Sequence, residues 1–140
     1  MMTLSEPEIQ ALSDALDDEY KSYATYAQVI ADFGPERPFA NIVEAEARHF
    51  SALLALFTAY GITPPRDRWR GNAPRFASLH AACLAAVQGE IDNVAIYDRV
   101  LNSTTRPDIL RVYSALREAS LERHLPAFRR CAQRSRKHDR

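Results

Sequence analysis

The sequence predicts an all-α protein built as one four-helix bundle. Apolar residues recur at alternating spacings of three and four in four separate stretches, which is the pattern of a helix with one buried face. Hydrophobic residues make up 46% of the 140 residues, and only four residues are glycine. This length and composition favour one compact helical domain over a disordered chain or an all-β fold. We therefore predict a single domain over 1–133 and a basic, disordered tail over 134–140.

The first predicted helix begins at a capping box, because Ser5 precedes Glu8 by three residues. Pro7 fits the first turn, where its missing N–H does no harm. Gly34 and the proline after it end the helix, and the short connection makes the first two helices antiparallel neighbours. The inward stripe contains one carboxylate, that of Glu19. Its other members are Ile9, Leu12, Leu16, Tyr23, Tyr26, Ile30 and Phe33.

The second predicted helix carries Glu46 and His49 on its buried stripe. The other stripe residues are Phe39, Ile42, Leu53, Leu56 and Tyr60. Residues three apart project from the same side of a helix, so the carboxylate and the imidazole are directed at one point. Di-iron and di-manganese bundles bind metal with this Glu-x-x-His spacing. An unpartnered charge at a buried position is costly, so these two side chains need partners in the core.

The stretch 61–74, GITPPRDRWRGNAP, has no periodicity and predicts a loop. Fully extended it reaches roughly 46 Å, whereas a helix of about 22 residues is about 33 Å long. The loop can therefore run the length of the bundle and join two helical hairpins by one long crossover. A slack ordinary loop is the alternative. We expect Trp69 to cover one side of the bundle.

The third predicted helix runs from Phe76 to Leu101 and has Glu90 as the one carboxylate of its stripe. Gly89 lowers the helix propensity by about 1 kcal/mol. We take this cost to indicate that another group approaches closely at Gly89.

The fourth predicted helix begins near Pro107 and has His124 at the middle of its inner face. We expect Ser120 and Leu121 to face inward as well. Pro126 has no N–H to donate, so the helix should kink beside His124.

Each predicted helix thus directs a residue that can bind a metal at the middle of the bundle: Glu19, Glu46 with His49, Glu90, and His124. Three carboxylates in a dry core raise one another's pKa values unless a multivalent cation neutralises them. Mixed carboxylate and imidazole ligands favour iron or manganese, and zinc is the less typical choice. The alternative is a set of hydrogen-bonded core residues without metal.

Other side chains form a second layer around the predicted ligands. Tyr23, Tyr26 and Tyr97 lie one or two turns away and can either relay electrons or simply fill the core. Cys83 lies seven residues before Glu90, and Cys131 lies seven after His124. On antiparallel helices the two cysteines approach each other and can act as a redox pair; the alternative is two small buried residues.

Charge and targeting features exclude several classes of protein. The chain has 18 basic and 18 acidic residues, which gives no reason to expect nucleic-acid binding. We interpret the last dozen residues, which are rich in arginine, as a solvated, frayed helix end. The chain begins without the features of a signal peptide and has no apolar run long enough to cross a membrane. We expect a cytoplasmic protein, and two cysteines exclude a disulfide-framework fold.

Four segments resemble the ferritin-like superfamily: LDDEYKSYATY around Glu19, FANIVEAEARHF around Glu46 and His49, QGEIDNVAIYDRVL around Glu90, and ASLERHLPAF around His124. More narrowly the chain resembles a family of short, largely uncharacterised bacterial ferritin-like proteins. In ferritins the oxidase centre uses residues that correspond to Glu19, Glu46, His49 and Glu90. Rubrerythrin-like members place a further Glu three residues before the helix-4 ligand, where this chain has Leu121. One tightly and one loosely bound metal is therefore an alternative to a full di-metal site.

The resemblance implies a ferritin-like four-helix bundle that binds iron, most typically two ions, with manganese or zinc as alternatives. The implied activity is oxidation of Fe(II) by O2 or peroxide, as an oxidase, a ferroxidase or a peroxide scavenger. The chain lacks the C-x-x-C pairs of a rubredoxin-type iron site, so a peroxidase needs an external electron donor. A homodimer is expected. Iron storage and a metal-free helical interaction module are the alternative functions.

Overall fold

The computed structural model describes residues 3–136, and the fold is an all-α bundle. Its helices are α1 Glu6–Phe33, α2 Phe39–Ala59, α3 Leu79–Val100, α4 Pro107–Ala119 and α5 Leu125–Ser135. A π-helical turn, Ser120–His124, joins α4 to α5, so these segments form one rod. No β-strand occurs within the described range. The predicted all-α class is therefore confirmed, with four helical rods.

The predicted capping box is present at the start of α1. The Glu8 N–H donates to Ser5 Oγ at 3.3 Å, and the Ser5 N–H donates to Glu8 Oε1 at 2.8 Å. Glu8 also accepts a hydrogen bond from Arg106 Nε at 3.0 Å, which connects the start of α1 to the segment before α4. The helix ends before Gly34, whose φ of 92° lies in a region that favours glycine.

Helix α3 begins later than the periodicity predicts. Ser78 is its N-cap, and the Ser78 hydroxyl accepts a hydrogen bond from the Ala81 N–H at 3.0 Å. Phe76, which we expected in the first turn, therefore precedes the helix, although it still packs against the core. The later start has a local cause. The Ser78 side chain accepts a hydrogen bond from an N–H of the first turn that has no acceptor within the helix.

The segment between α2 and α3 contacts the outside of α1 at two points. Arg68 binds the carboxylate of Asp17 through two nitrogens, at 2.8 and 2.9 Å. Arg75 binds Asp32 in the same way, at 3.1 and 2.6 Å. Trp69 donates its indole N–H to Asp17 at 3.1 Å and is half-buried. The segment thus follows α1 over several turns, and Trp69 covers the surface of that helix.

Side-chain contacts define the relative directions of the rods. Tyr26 packs edge-on against Phe39, whereas Tyr20, earlier in α1, packs against Phe50, later in α2. Helices α1 and α2 are therefore antiparallel. Tyr26 also binds Glu90, and Asp18 binds Asn93 further along α3, which makes α1 and α3 antiparallel as well.

The fourth rod contains a π-helical turn where we expected a kink. The Leu125 N–H donates to the Ser120 carbonyl, five residues back, and Pro126 follows with no N–H of its own. Ser120 and His124 both face the core in this turn. Leu121 is 37% exposed, so the expectation that it faces inward is wrong. It lies to the side because neighbouring residues of a helix point in directions about 100° apart.

The apolar core consists of two clusters on opposite sides of a polar layer. One cluster includes Leu12, Leu16, Leu53, Phe57 and Tyr113. The other includes Val29, Phe39, Phe128 and the two cysteines. The predicted metal ligands lie between them, where they are enclosed by apolar side chains from both ends of the bundle.

The last helix extends into the region that we predicted to be a tail. Helix α5 continues to Ser135, so Arg134 and Ser135 are helical. Arg136 follows in a turn, and residues 137–140 of the predicted tail lie outside the described residues.

Candidate metal centre

The five predicted ligands are all buried and lie together. Glu19 and Glu90 are fully inaccessible to solvent, Glu46 is 1% exposed, His124 4% and His49 8%. Each comes from the middle of its rod, so the four rods contribute to one layer. Burial of three carboxylates in one core layer is unusual without a positive partner.

Glu46 lies at the centre of this group. Its Oε1 is 3.1 Å from His49 Nδ1 and 3.3 Å from His124 Nδ1. Each imidazole also approaches a second carboxylate: His49 Nδ1 lies 3.4 Å from Glu19 Oε2, and His124 Nδ1 lies 3.3 Å from Glu90 Oε1. The two rings stack, with centroids 5.3 Å apart. The arrangement therefore has two halves, each with one imidazole and one outer carboxylate, that share the carboxylate of Glu46.

One atom of each of the five side chains has no hydrogen-bond partner. These buried atoms are Glu19 Oε1, Glu46 Oε1, His49 Nδ1, Glu90 Oε1 and His124 Nδ1. The carboxylate–imidazole distances of 3.1–3.4 Å are those of ion pairs, and none of these contacts is a hydrogen bond. Buried polar atoms in folded proteins are nearly always satisfied. A shared metal ion satisfies such a set, and ligand atoms of Glu46, His49 and His124 lie within 4.8 Å of one another.

Two buried tyrosines hold the outer carboxylates. Tyr97 donates its hydroxyl proton to Glu19 Oε2 at 2.6 Å, and Tyr26 donates to Glu90 Oε2. Burial, together with these neighbouring carboxylates, raises the pKa of both tyrosines well above the usual value of 10, so both remain proton donors. Each outer glutamate thus has one oxygen anchored by a tyrosine and the other without a hydrogen-bond partner.

Burial and the close approach of the charged groups shift the pKa values of Glu46 and His49. Burial, followed by the charge of Glu19, raises the pKa of Glu46 well above its usual value of 4.5. Burial alone would lower the pKa of His49, but the carboxylates of Glu19 and Glu46 outweigh it and raise that pKa to about 10. A proton on His49 is the positive partner that the metal-free layer has, and a metal ion at the same place would displace it.

Two polar residues beside the layer, Asp18 and Asn93, were not predicted, whereas Ser120 was expected to face inward and does. Asn93 donates to Asp18 Oδ2 at 2.7 Å, and Ser120 donates its hydroxyl proton to Asn93 Oδ1 at 2.7 Å. Burial is the main cause that raises the pKa of Asp18 to about 7. Spacing could have identified Asn93, since it lies three residues after Glu90 on the same face of α3.

Not every residue of the predicted second layer reaches the ligands. Tyr26 and Tyr97 do, as described above. Tyr23 is half-buried and packs edge-on against Phe50, with ring centroids 5.4 Å apart. Tyr23 makes no hydrogen bond to any of the five predicted ligands.

Cys83 and Cys131 form a disulfide, with a Cα–Cα distance of 5.7 Å. The expectation that they approach each other is confirmed, and both are also buried. The bond links α3 to α5 inside the apolar cluster that contains Phe128.

Gly89 does not mark a close approach. A Cβ added to this residue would meet nothing within 4 Å. Gly89 faces a cavity of about 340 Å³ that Tyr26 and Asp18 also line. The prediction of a tight contact at this position is therefore wrong, because the space beside the glycine is open.

No helix within residues 3–136 is both long enough and apolar enough to cross a membrane. This finding agrees with the absence of a long apolar run in the sequence.

Comparison with known proteins identifies the fold. No protein-family model matches the chain, and no curated protein matches it. Among solved structures, a hypothetical protein from Methanococcus jannaschii DSM 2661 is 22% identical with a TM-score of 0.85; the match covers 96% of this chain and 84% of that one. A conserved hypothetical protein from Mycobacterium tuberculosis is 21% identical with a TM-score of 0.69, over 94% and 89% of the two chains. At these identities the similarity shows that the helical architecture is shared.

Proposed function

We propose that the protein is a ferritin-like di-metal protein that binds iron and oxidises Fe(II) with O2 or peroxide. The single observation that carries the proposal is the set of five buried ligand atoms, from four rods, that have no hydrogen-bond partner. The rod directions support the ferritin-like arrangement. Since α2 and α3 are both antiparallel to α1, they run the same way, and the connection between them has to cross the length of the bundle.

The donor set suits iron. Glu19 with His49 would hold one ion, Glu90 with His124 would hold the other, and Glu46 would bridge them. Oxygen and imidazole ligands without thiolate are typical of iron and manganese. The fourth rod offers no sixth ligand, because the position that bears a glutamate in rubrerythrin-like proteins is Leu121, a side chain without a donor atom that is 37% exposed. Five side chains would therefore leave room for an oxidant beside the proposed ions.

Iron in such a site supplies electron exchange with dioxygen or peroxide. The chain contributes orientation and exclusion of water. Tyr26 and Tyr97 hold one oxygen of each outer carboxylate and leave the other for the metal. Apolar clusters above and below the layer keep bulk water away. An external electron donor, a homodimeric assembly and a cytoplasmic location belong to the same proposal.

Anaerobic loading with Fe(II) tests this function. We expect about two iron ions per chain, and a rise in the near-ultraviolet absorbance of Fe(III) when O2 or peroxide is added. The variant Glu46→Ala should bind almost no iron while it keeps a helical circular dichroism spectrum. Glu44→Ala is the matched control, because Glu44 is an exposed residue of the same helix.

Two results would overturn the proposal. One is an iron content below about 0.1 per chain after loading, since a structural or catalytic site at these ligands should retain its metal. The other is an unchanged iron content in Glu46→Ala. The first result would favour a metal-free helical module, and the second would mean that the iron binds at ligands other than Glu46. A cage large enough to enclose a mineral, measured as solution mass, would favour iron storage instead.

A further inference from the structure

A cleft of about 660 Å³ lies between α2 and the fourth rod, on the side of the bundle where His124 is located. His124 and five arginines line it. The arginines are Arg37, Arg48, Arg123, Arg130 and Arg134. Among residues 3–136, no aspartate or glutamate is part of its lining. This concentration of positive charge is unexpected in a chain whose net charge is zero.

The cleft exists because α2 and α5 lack the close packing that joins α1 to α2 and α3 to α5. Small side chains, Ala45 on α2 and Ala127 on α5, line its middle. On α2, Arg48 lies three residues after Ala45; on α5, Arg130 lies three residues after Ala127. Each helix thus presents alanine and then arginine on one face, so that the space left by the alanines is bordered by guanidinium groups.

The arginines of the cleft differ from others in the chain. Arg68, Arg75, Arg99, Arg106 and Arg117 each form an ion pair with a carboxylate. Within residues 3–136, none of the five cleft arginines forms one. Arg134 donates to the carbonyl oxygen of Arg37 at 3.4 Å, a contact that places these two ends of the cleft side by side.

Five guanidinium groups around one concavity repel one another at every physiological pH, because arginine does not lose its proton. Such an arrangement is stabilised by an anion, and the planar guanidinium forms paired hydrogen bonds with phosphate or carboxylate oxygens. The volume falls within the range of roughly 300–1,000 Å³ that is typical of small-molecule sites. A single inorganic ion would fill little of it.

We propose that this cleft binds a small organic or condensed anion that carries at least two phosphate or carboxylate groups. Arginines from both sides of the cleft would hold the separate anionic groups, and the small residues between them would leave room for the body of the molecule. The site goes beyond the redox activity proposed above, since its arginines need no metal to be charged. His124, which is buried beneath the cleft, connects its floor to the metal layer.

Titration calorimetry on metal-free protein tests the proposal, with pyrophosphate as the phosphate probe and citrate as the carboxylate probe. We expect saturable binding of one molecule per chain for at least one probe, and the stronger of the two indicates the source of the anionic groups. Arg130→Gln should weaken that binding by about tenfold to a hundredfold, the range expected for loss of a charged hydrogen bond. Arg123→Gln should do the same.

Arg129→Gln is the matched control. Arg129 is the neighbour of Arg130, is exposed, and does not line the cleft, so the variant loses the same charge outside the site. An equal loss of affinity in both variants would reduce the effect to general charge attraction and overturn the proposal. Absence of saturable binding for both probes would overturn it as well. Binding of a 20-base-pair DNA duplex in preference to both probes would identify a nucleic-acid surface instead.

The two proposals fail separately. Metal-free Glu46→Ala should keep the anion affinity of the unchanged protein, because Glu46 does not line the cleft. If that variant binds pyrophosphate or citrate normally but no iron, both proposals stand. If the unchanged protein binds no iron but binds the anion, only the redox function is lost.

Discussion

At the scale of single residues, the arrangement of the polar layer depends on which oxygen of each outer carboxylate already accepts a hydrogen bond. Glu19 and Glu90 each accept a hydrogen bond from a tyrosine on one oxygen and have no partner on the other. The sequence predicted that Glu19, Glu46, His49, Glu90 and His124 converge. It did not show which of the three nearby tyrosines would reach them. The position of a tyrosine hydroxyl, at the far end of its side chain, depends on the angle between the packed helices.

Tyr97→Phe should weaken metal binding by about tenfold to a hundredfold, which is the usual effect of removing a partner that orients a ligand. The fold should remain, since phenylalanine fills nearly the same space. Metal titration by calorimetry measures the change. Tyr113→Phe is the control: Tyr113 packs against Tyr97, but its buried hydroxyl has no hydrogen-bond partner, so its loss should leave affinity unchanged. Equal affinities for Tyr97→Phe and the unchanged protein would contradict the orienting role.

At the scale of helices, local sequence determined where α1 begins, while neighbouring rods determined the shape of α3 and of the fourth rod. The capping box at Ser5 was readable because both partners lie within one turn. The open space beside Gly89 and the π-helical turn at Ser120–His124 were not readable, since they depend on the gap between packed rods. The close approach predicted at Gly89 was therefore wrong.

Gly89→Ala should stabilise the protein by about 0.5–1 kcal/mol, because alanine restricts the unfolded chain and favours the helix while its methyl group meets no other atom. Thermal unfolding of metal-free protein should show a rise in Tm of about 2–4 °C. Gly61→Ala should have the opposite effect, since Gly61 has a φ of 68° that alanine rarely adopts. A fall in Tm for Gly89→Ala would mean that the space beside α3 is filled.

At the scale of the whole molecule, the disulfide connects two rods of the bundle within the apolar cluster on one side of the polar layer. It joins residues 48 positions apart and links α3 to α5. Each cysteine lies seven residues from a predicted ligand, on helices expected to be antiparallel. This spacing was sufficient to predict that the two cysteines approach each other. That the two cysteines act as a redox pair stays a prediction.

Reduction of this disulfide should lower the free energy of unfolding by up to about 4 kcal/mol, the chain-entropy estimate for a loop of this length. Urea unfolding with and without dithiothreitol measures the difference. The double variant Cys83→Ala with Cys131→Ala should not respond to the reductant. If the unchanged protein is equally stable with and without dithiothreitol, the two thiols are not joined in solution.

The sequence by itself determined the helical class, the start of α1 and the five residues of the polar layer, because helical periodicity places residues three and four apart on one buried face. Only the tertiary structure decided which carboxylate lies between the two imidazoles, which tyrosines hold the outer carboxylates, and where α2 and α5 leave an arginine-lined cleft. These features depend on distances between rods, and such distances are set by the packing of side chains far apart in the chain.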